Sequence, residues 1–75
     1  MKLEEILGSI LDVSASELGD NSAQHTIQNW SSFAHINIIL ALENIYDVTF
    51  TTREIQAVKS IGEIRQLLRS KGATV

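Results

Sequence analysis

The sequence predicts an all-α domain: a small four-helix bundle, three longer helices and one short, with a long loop between helices 1 and 2. Three observations carry this. Proline is absent from all 75 residues. Apolar residues recur at helical spacing in separate segments. Serine or threonine stands three residues ahead of glutamate at the head of two later ones, the spacing of a capping box. With 44% apolar and 20% charged residues the composition is that of a folded globular domain. The length suits one domain, residues 1–75. A core this small nets only about 3–5 kcal/mol from burial, which leaves little room for an enclosed active-site cavity.

In the first segment Leu3, Ile6, Leu7, Ile10 and Leu11 fall on one helical face, and Glu4, Glu5, Ser9 and Asp12 take the other. Gly8 costs such a helix about 1 kcal/mol relative to alanine, so it marks close packing against a neighbour. From Val13 to Trp30 the periodicity gives way to a loop rich in serine, asparagine, aspartate and glycine. Ser14 and Glu17 predict one short helical turn inside it, with Leu18 and Ile27 dipping into the core.

The next helix is expected over Ser32 to Tyr46. Its apolar residues, at 33, 34, 36, 38 to 42, 45 and 46, cover more than one face, which predicts a central helix touched on several sides. Thr51 with Glu54 and Ser60 with Glu63 predict a short helix at 52–58 and a last one at 61–71. In the last, Ile61, Ile64, Leu67 and Leu68 face inward, Arg65, Arg69 and Lys71 suit the negative end of the dipole, and Gly72 stops it.

Composition also excludes partners and chemistries. A net charge of -3 without a basic stripe opposes nucleic-acid binding. The chain has no cysteine, so disulfides and thiol-based metal or redox sites are ruled out. The opening "MKLEEILGSILDV" is amphipathic, with acids inside it, which fits neither a membrane span nor a signal peptide. A monomeric cytoplasmic protein is the expectation.

The stretch "NWSSFAHINIILALENIYDV" sets two serines at the head of the most apolar helix. Ser31 is the expected N-cap, its side chain accepting a first-turn N–H. Ser32 then becomes the first helical residue, its hydroxyl beside open N–H groups and the positive end of the dipole, where a phosphate is electrostatically well placed. Trp30 reads as a core anchor at the end of the loop. Ser32 and His35, three apart, share a face and invite a nucleophile-and-base reading, but no oxyanion hole or strained nucleophile turn accompanies them. No carboxylate spacing supports a metal site on His25 and His35. His35 reads as a surface residue, and Asn37 as exposed or partner-facing.

The same stretch resembles the acyl carrier proteins, whose hallmark is Asp-Ser-Leu at the start of the second helix, often preceded by tryptophan. "WSSFAHINIILALENIYDVTF" is similar to that motif, with Ser32 matching the modified serine, and the similarity runs through "LDVSASELGDNSA", "LALENIYDV" and "VKSIGEIRQLL". The resemblance implies a carrier and not an enzyme. A phosphopantetheinyl transferase would attach 4′-phosphopantetheine from coenzyme A to Ser32. Its thiol would hold an acyl group as a thioester for acyl-loading and acyl-transfer enzymes of a specialised lipid, polyketide or related pathway. It further implies a partner face including Phe33, His35, Asn37 and Glu43, and an acyl pocket lined by Phe33, Ile36, Leu40 and Ile61.

Two departures stand out. Ser31 replaces the motif's aspartate and Phe33 its leucine. Ala34, Asn37, Asn44 and Ile45 occupy positions often acidic in the family, so docking is expected to lean on apolar and neutral polar contacts. The remaining acids, Glu4, Glu5, Asp12, Glu17 and Asp20, read as a solvated surface. Two alternatives stay beside the acyl carrier: a peptidyl or D-alanyl carrier, and a carrier-like interaction module that is never modified.

Overall fold

A computed structural model of the chain describes residues 2–75. Four α-helices follow one another: α1, Leu3–Leu11; α2, Ser32–Tyr46; α3, Thr52–Ala57; and α4, Ile61–Ser70. A 3-10 turn at Ala15–Glu17 lies in the long loop. The amphipathic stripe of α1 packs as its spacing predicts, with Leu3, Leu7 and Leu11 meeting Ile38, Ile39 and Leu42 of α2 and Ile61, Ile64 and Leu68 of α4 in one core. The last two helices each stop one residue short of the expected end. The α4 stop is Gly72, at φ 91°.

Both α1 and α2 end on an Asp-Val pair. Asp12 and Asp47 take left-handed backbone conformations, φ 58° and 54°. The following valine then donates back to a carbonyl five residues earlier, Val13 N to Gly8 O at 3.0 Å and Val48 N to Glu43 O at 3.2 Å. These bonds close the orphan carbonyls of each last turn. The first of them folds the chain tightly over α1: a Cβ on Gly8 would lie 2.6 Å from the Val13 carbonyl oxygen. Close packing at Gly8 is therefore backbone against helix.

The long loop is ordered by backbone bonds to the head of α4. Gln24 N donates to Lys59 O at 2.8 Å, Ile61 N to Ser22 O at 2.9 Å and Gly62 N to Asp20 O at 3.0 Å. Asn29 Nδ2 donates to Leu11 O at 2.9 Å and ties the other end to α1. Ser14 does not cap the 3-10 turn; its hydroxyl pairs with that of Ser16. Two of the acids read as solvated are held in ion pairs: Arg65 Nη2 pairs with Glu4 and Arg65 Nε with Asp20 at 3.1 Å. Burial alone would lower the Arg65 pKa, but the two carboxylates outweigh it and raise it. Arg65 therefore joins α1, the loop and α4 and does not simply serve the dipole of its own helix.

The α3 segment is the least anchored helix, with no fully buried residue. It starts with a complete capping box: Thr51 Oγ1 accepts from Glu54 N at 3.1 Å and Glu54 Oε1 accepts from Thr51 N at 2.9 Å. At Ser60 the box is shifted. Ser60 Oγ accepts from Glu63 N at 3.2 Å, while Glu63 Oε1 takes the N–H of Lys59. No helix among the described residues is long and apolar enough to cross a membrane.

Candidate functional site at the head of the second helix

The loop delivers Trp30 into the core, at 2% exposure, and turns outward at once, so Ser31, Ser32 and Phe33 are all exposed. Ser31 is the N-cap: its backbone is extended and its Oγ accepts from Ala34 N at 3.1 Å. Its carbonyl accepts from His35 N at 2.9 Å. The donors on Ser32 and Phe33, the first two of the helix, therefore have no intrahelical partner and lie at the positive end of the dipole. The first turn carries no acid, so nothing on the helix itself repels an anion attached to the Ser32 hydroxyl.

His35, one turn further on, corrects the sequence-based expectation of a surface, partner-facing residue. It is 7% exposed. Trp30 Nε1–H donates to its Nδ1 at 3.0 Å, and its Nε2 lies 2.8 Å from the Ile55 carbonyl oxygen in α3. The indole is only a donor and the carbonyl only an acceptor, so the ring is the Nε2–H tautomer. With both nitrogens paired, burial leaves no polar atom unsatisfied. Both nitrogens being committed elsewhere, Ser32 and His35 do not form a nucleophile–base pair.

The apolar residues of α2 also divide differently from the expectation of a helix covered on several sides. Ala34, Ile38, Ile39 and Leu42 are buried, whereas Phe33, Ile36 and Leu40 stand outward at 77%, 47% and 57% exposure. The last three therefore do not line an interior pocket; Ile61 alone of that expected set lies in the core, fully buried. Spaced i, i+3 and i+7, they form a stripe running from the residue after Ser32 along the outer face of the helix. Asn37 is half-buried beside it. Glu43, expected to face partners, turns its Oε2 to accept from Phe50 N at 2.9 Å.

Two surface concavities lie on other parts of the molecule. One, of about 520 Å³, is lined by α1 residues and Ala15, Ser16 and Leu18. The other, of about 310 Å³, is lined by Lys2, Leu3, Glu4, Tyr46, Arg65, Thr74 and Val75. Tyr46 Oη is buried without a partner, and burial pushes its pKa up. Among the described residues no cluster of three or more His, Asp or Glu could hold a metal ion.

No protein-family description and no curated protein matches this sequence. Solved structures do. The holo acyl carrier protein of Geobacter metallireducens superposes with a TM-score of 0.82 at 29% identity, covering 92% of this chain and 79% of that one. A putative acyl carrier protein of Mycobacterium tuberculosis superposes with a TM-score of 0.80 at 19% identity, over 93% of this chain and 99% of that one. The fold is that of the acyl carrier proteins.

The capping by Ser31, the place of Ser32 as first residue of α2 and the burial of Trp30 follow from local sequence pattern. The engagement of His35 does not. A histidine among isoleucines reads equally as exposed or buried, and its decisive partner is a backbone carbonyl 20 residues away.

Proposed function

We propose that this chain is a carrier. Its Ser32 takes 4′-phosphopantetheine from coenzyme A through a phosphopantetheinyl transferase, and the arm's terminal thiol holds an acyl group as a thioester. In the attachment step Ser32 Oγ forms a bond to the phosphorus that bears the pantetheine. The pyrophosphate bond breaks, adenosine 3′,5′-bisphosphate leaves, and the hydroxyl proton is released. The carrying observation is the placement of Ser32: exposed, first in α2, its neighbour Ser31 already engaged as the cap. The residues present suit the group. The open N–H groups of the first turn and the dipole favour a phosphodiester, and no acid of that turn opposes it. Likeness to a holo carrier protein supports the same reading.

The chain's own part is to hold Ser32 outward on a rigid helix and to present the Phe33, Ile36 and Leu40 stripe beside it. Acyl-loading and acyl-transfer enzymes then meet apolar and neutral groups there, which fits a specialised pathway. Co-expression with a transferase tests this: peptide mapping should place one phosphopantetheine on the peptide containing Ser32. Its consistent absence would favour an unmodified interaction module.

A further inference from the structure

Ser32, Ile36 and Leu40 stand four residues apart and form one row along the outer side of α2, successive Cβ atoms roughly 5–6 Å apart. Helical side chains lean toward the N-terminus, so Ile36 covers the turn that carries the Ser32 hydroxyl. The row runs about 12 Å from Ser32 to Leu40. Phe33 stands in the neighbouring row, and the groove between the two is lined by three exposed apolar side chains, Phe33, Ile36 and Leu40. No charge interrupts it: the one carboxylate of α2, Glu43, is turned to Phe50 N at 2.9 Å.

The inner side of the same helix is closed. Trp30, Ile38, Leu42 and Ile61 belong to one buried core, and His35 bridges α2 to α3 through the Ile55 carbonyl. A hydrocarbon chain entering there would force apart side chains packed as densely as an organic crystal. The two concavities open elsewhere, one on α1 and the loop, the other on α1, Tyr46, Arg65 and the last residues. The outer groove is also small. Phe33, Ile36 and Leu40 leave on the order of 300 Å² of apolar surface in water, against the roughly 800 Å² per partner of a stable protein interface. A second copy of the chain seated on it alone would not hold; a single acyl chain needs no more.

We propose that an apolar acyl group carried on Ser32 lies along the outer groove of α2, over Ile36 and Leu40 with Phe33 beside it, and not between the helices. This rests on the carrier reading. The tether makes so small a groove sufficient: a flexible arm fixed at Ser32 holds its cargo at an effective concentration on the order of millimolar over a groove that begins one turn away. The groove also selects the cargo. Hydrocarbon gains by covering it, whereas the ammonium of an aminoacyl group meets no carboxylate between Ser32 and Leu40. Loading therefore changes the face that partner enzymes meet.

Acetyl- and octanoyl-coenzyme A, each used with a promiscuous phosphopantetheinyl transferase, load two cargoes by the attachment step given above, and intact mass confirms each load. Methyl ¹³C spectra then compare the two forms. The Ile36 and Leu40 methyls should shift between acetyl and octanoyl, while those of Ile38, Leu42 and Ile61 stay in place. The Asn37 and Ala41 amides should shift with them in the wild type. In the double variant Ile36→Gln, Leu40→Gln, both changes at exposed positions, these amides should no longer distinguish the cargoes. Octanoyl-dependent shifts at Ile38, Leu42 and Ile61, or at none of the five methyl-bearing residues, overturn the proposal and leave the carrier reading intact. A folded protein that takes up neither group overturns the carrier reading, and the proposal falls with it.

Discussion

Trp30 Nε1–H donates to His35 Nδ1 at 3.0 Å across the cap of α2, with the two rings stacked at 6.0 Å between centroids. The bond locks the loop's last residue to the helix that follows it. His35→Phe keeps the ring volume but strands the indole N–H and the Ile55 carbonyl. At roughly 1–3 kcal/mol for an unsatisfied buried group, the variant should lose on the order of 2–4 kcal/mol. Thermal unfolding followed by circular dichroism checks this, and a Tm within a degree or two of wild type would contradict it.

Ser31 is a neutral cap where the resembled motif has aspartate. Ser31→Ala should cost about 1 kcal/mol, the usual worth of an N-cap, and leave Ser32 chemically intact. Ser31→Asp keeps the acceptor and adds a charge favourable to the dipole, so it should be at least as stable as wild type. It should also be modified faster by a promiscuous transferase. Parallel denaturant titrations and modification time courses read both effects.

Gly8 has no space for a side chain, since the Val13 carbonyl would meet a Cβ at 2.6 Å. Helix propensity alone predicts that Gly8→Ala stabilises α1 by about 1 kcal/mol. The clash with backbone reverses the sign, and a loss of about 1–3 kcal/mol is expected. A higher Tm for Gly8→Ala would show that the loop can shift without cost.

Asp47 ends α2 at φ 54° and places a carboxylate at the negative end of the dipole. Both features are unfavourable, and glycine removes both. Asp47→Gly should therefore gain about 0.5–1 kcal/mol, net of the entropy glycine adds to the unfolded chain. Asp47→Ala, which keeps the left-handed strain without a polar side chain, should be less stable than Asp47→Gly by urea midpoint.

Glu54 is held below the ordinary glutamate range, first by the Thr51 backbone N–H and then by the Lys71 ammonium. A carboxylate depressed in the folded state adds stability that is present above its unfolded pKa and lost as pH falls through the folded one. The Tm difference between wild type and Glu54→Gln should accordingly be largest near neutral pH and shrink on acidification through the carboxylate range. A difference that stays constant over that range would contradict the assignment.

Much of the fold was legible in the chain. The i, i+3, i+4 pattern of Leu3 to Leu11 and the Thr51–Glu54 and Ser60–Glu63 spacings are local signals, and local signals locate helices well. The Asp-Val endings of α1 and α2 repeat visibly, yet they become C-caps only once the helix ends are known. What stayed hidden depends on partners distant in sequence. Arg65 reaches Glu4 and Asp20 across the bundle, and His35 reaches a carbonyl in α3. The outward stripe of Phe33, Ile36 and Leu40 was obscured for another reason: in a helix apolar on several faces, hydrophobicity cannot say which face meets water. The positions of Ser31 and Ser32 were readable because capping is decided within four residues.

The central claim is that Ser32 carries the arm while Ser31 only caps the helix. Intact mass after incubation with coenzyme A and the phosphopantetheinyl transferase of the native host tests it most directly. One added phosphopantetheine is predicted on wild type and on Ser31→Ala, and none on Ser32→Ala. No addition to a folded wild type, or an addition that persists in Ser32→Ala, would contradict the account.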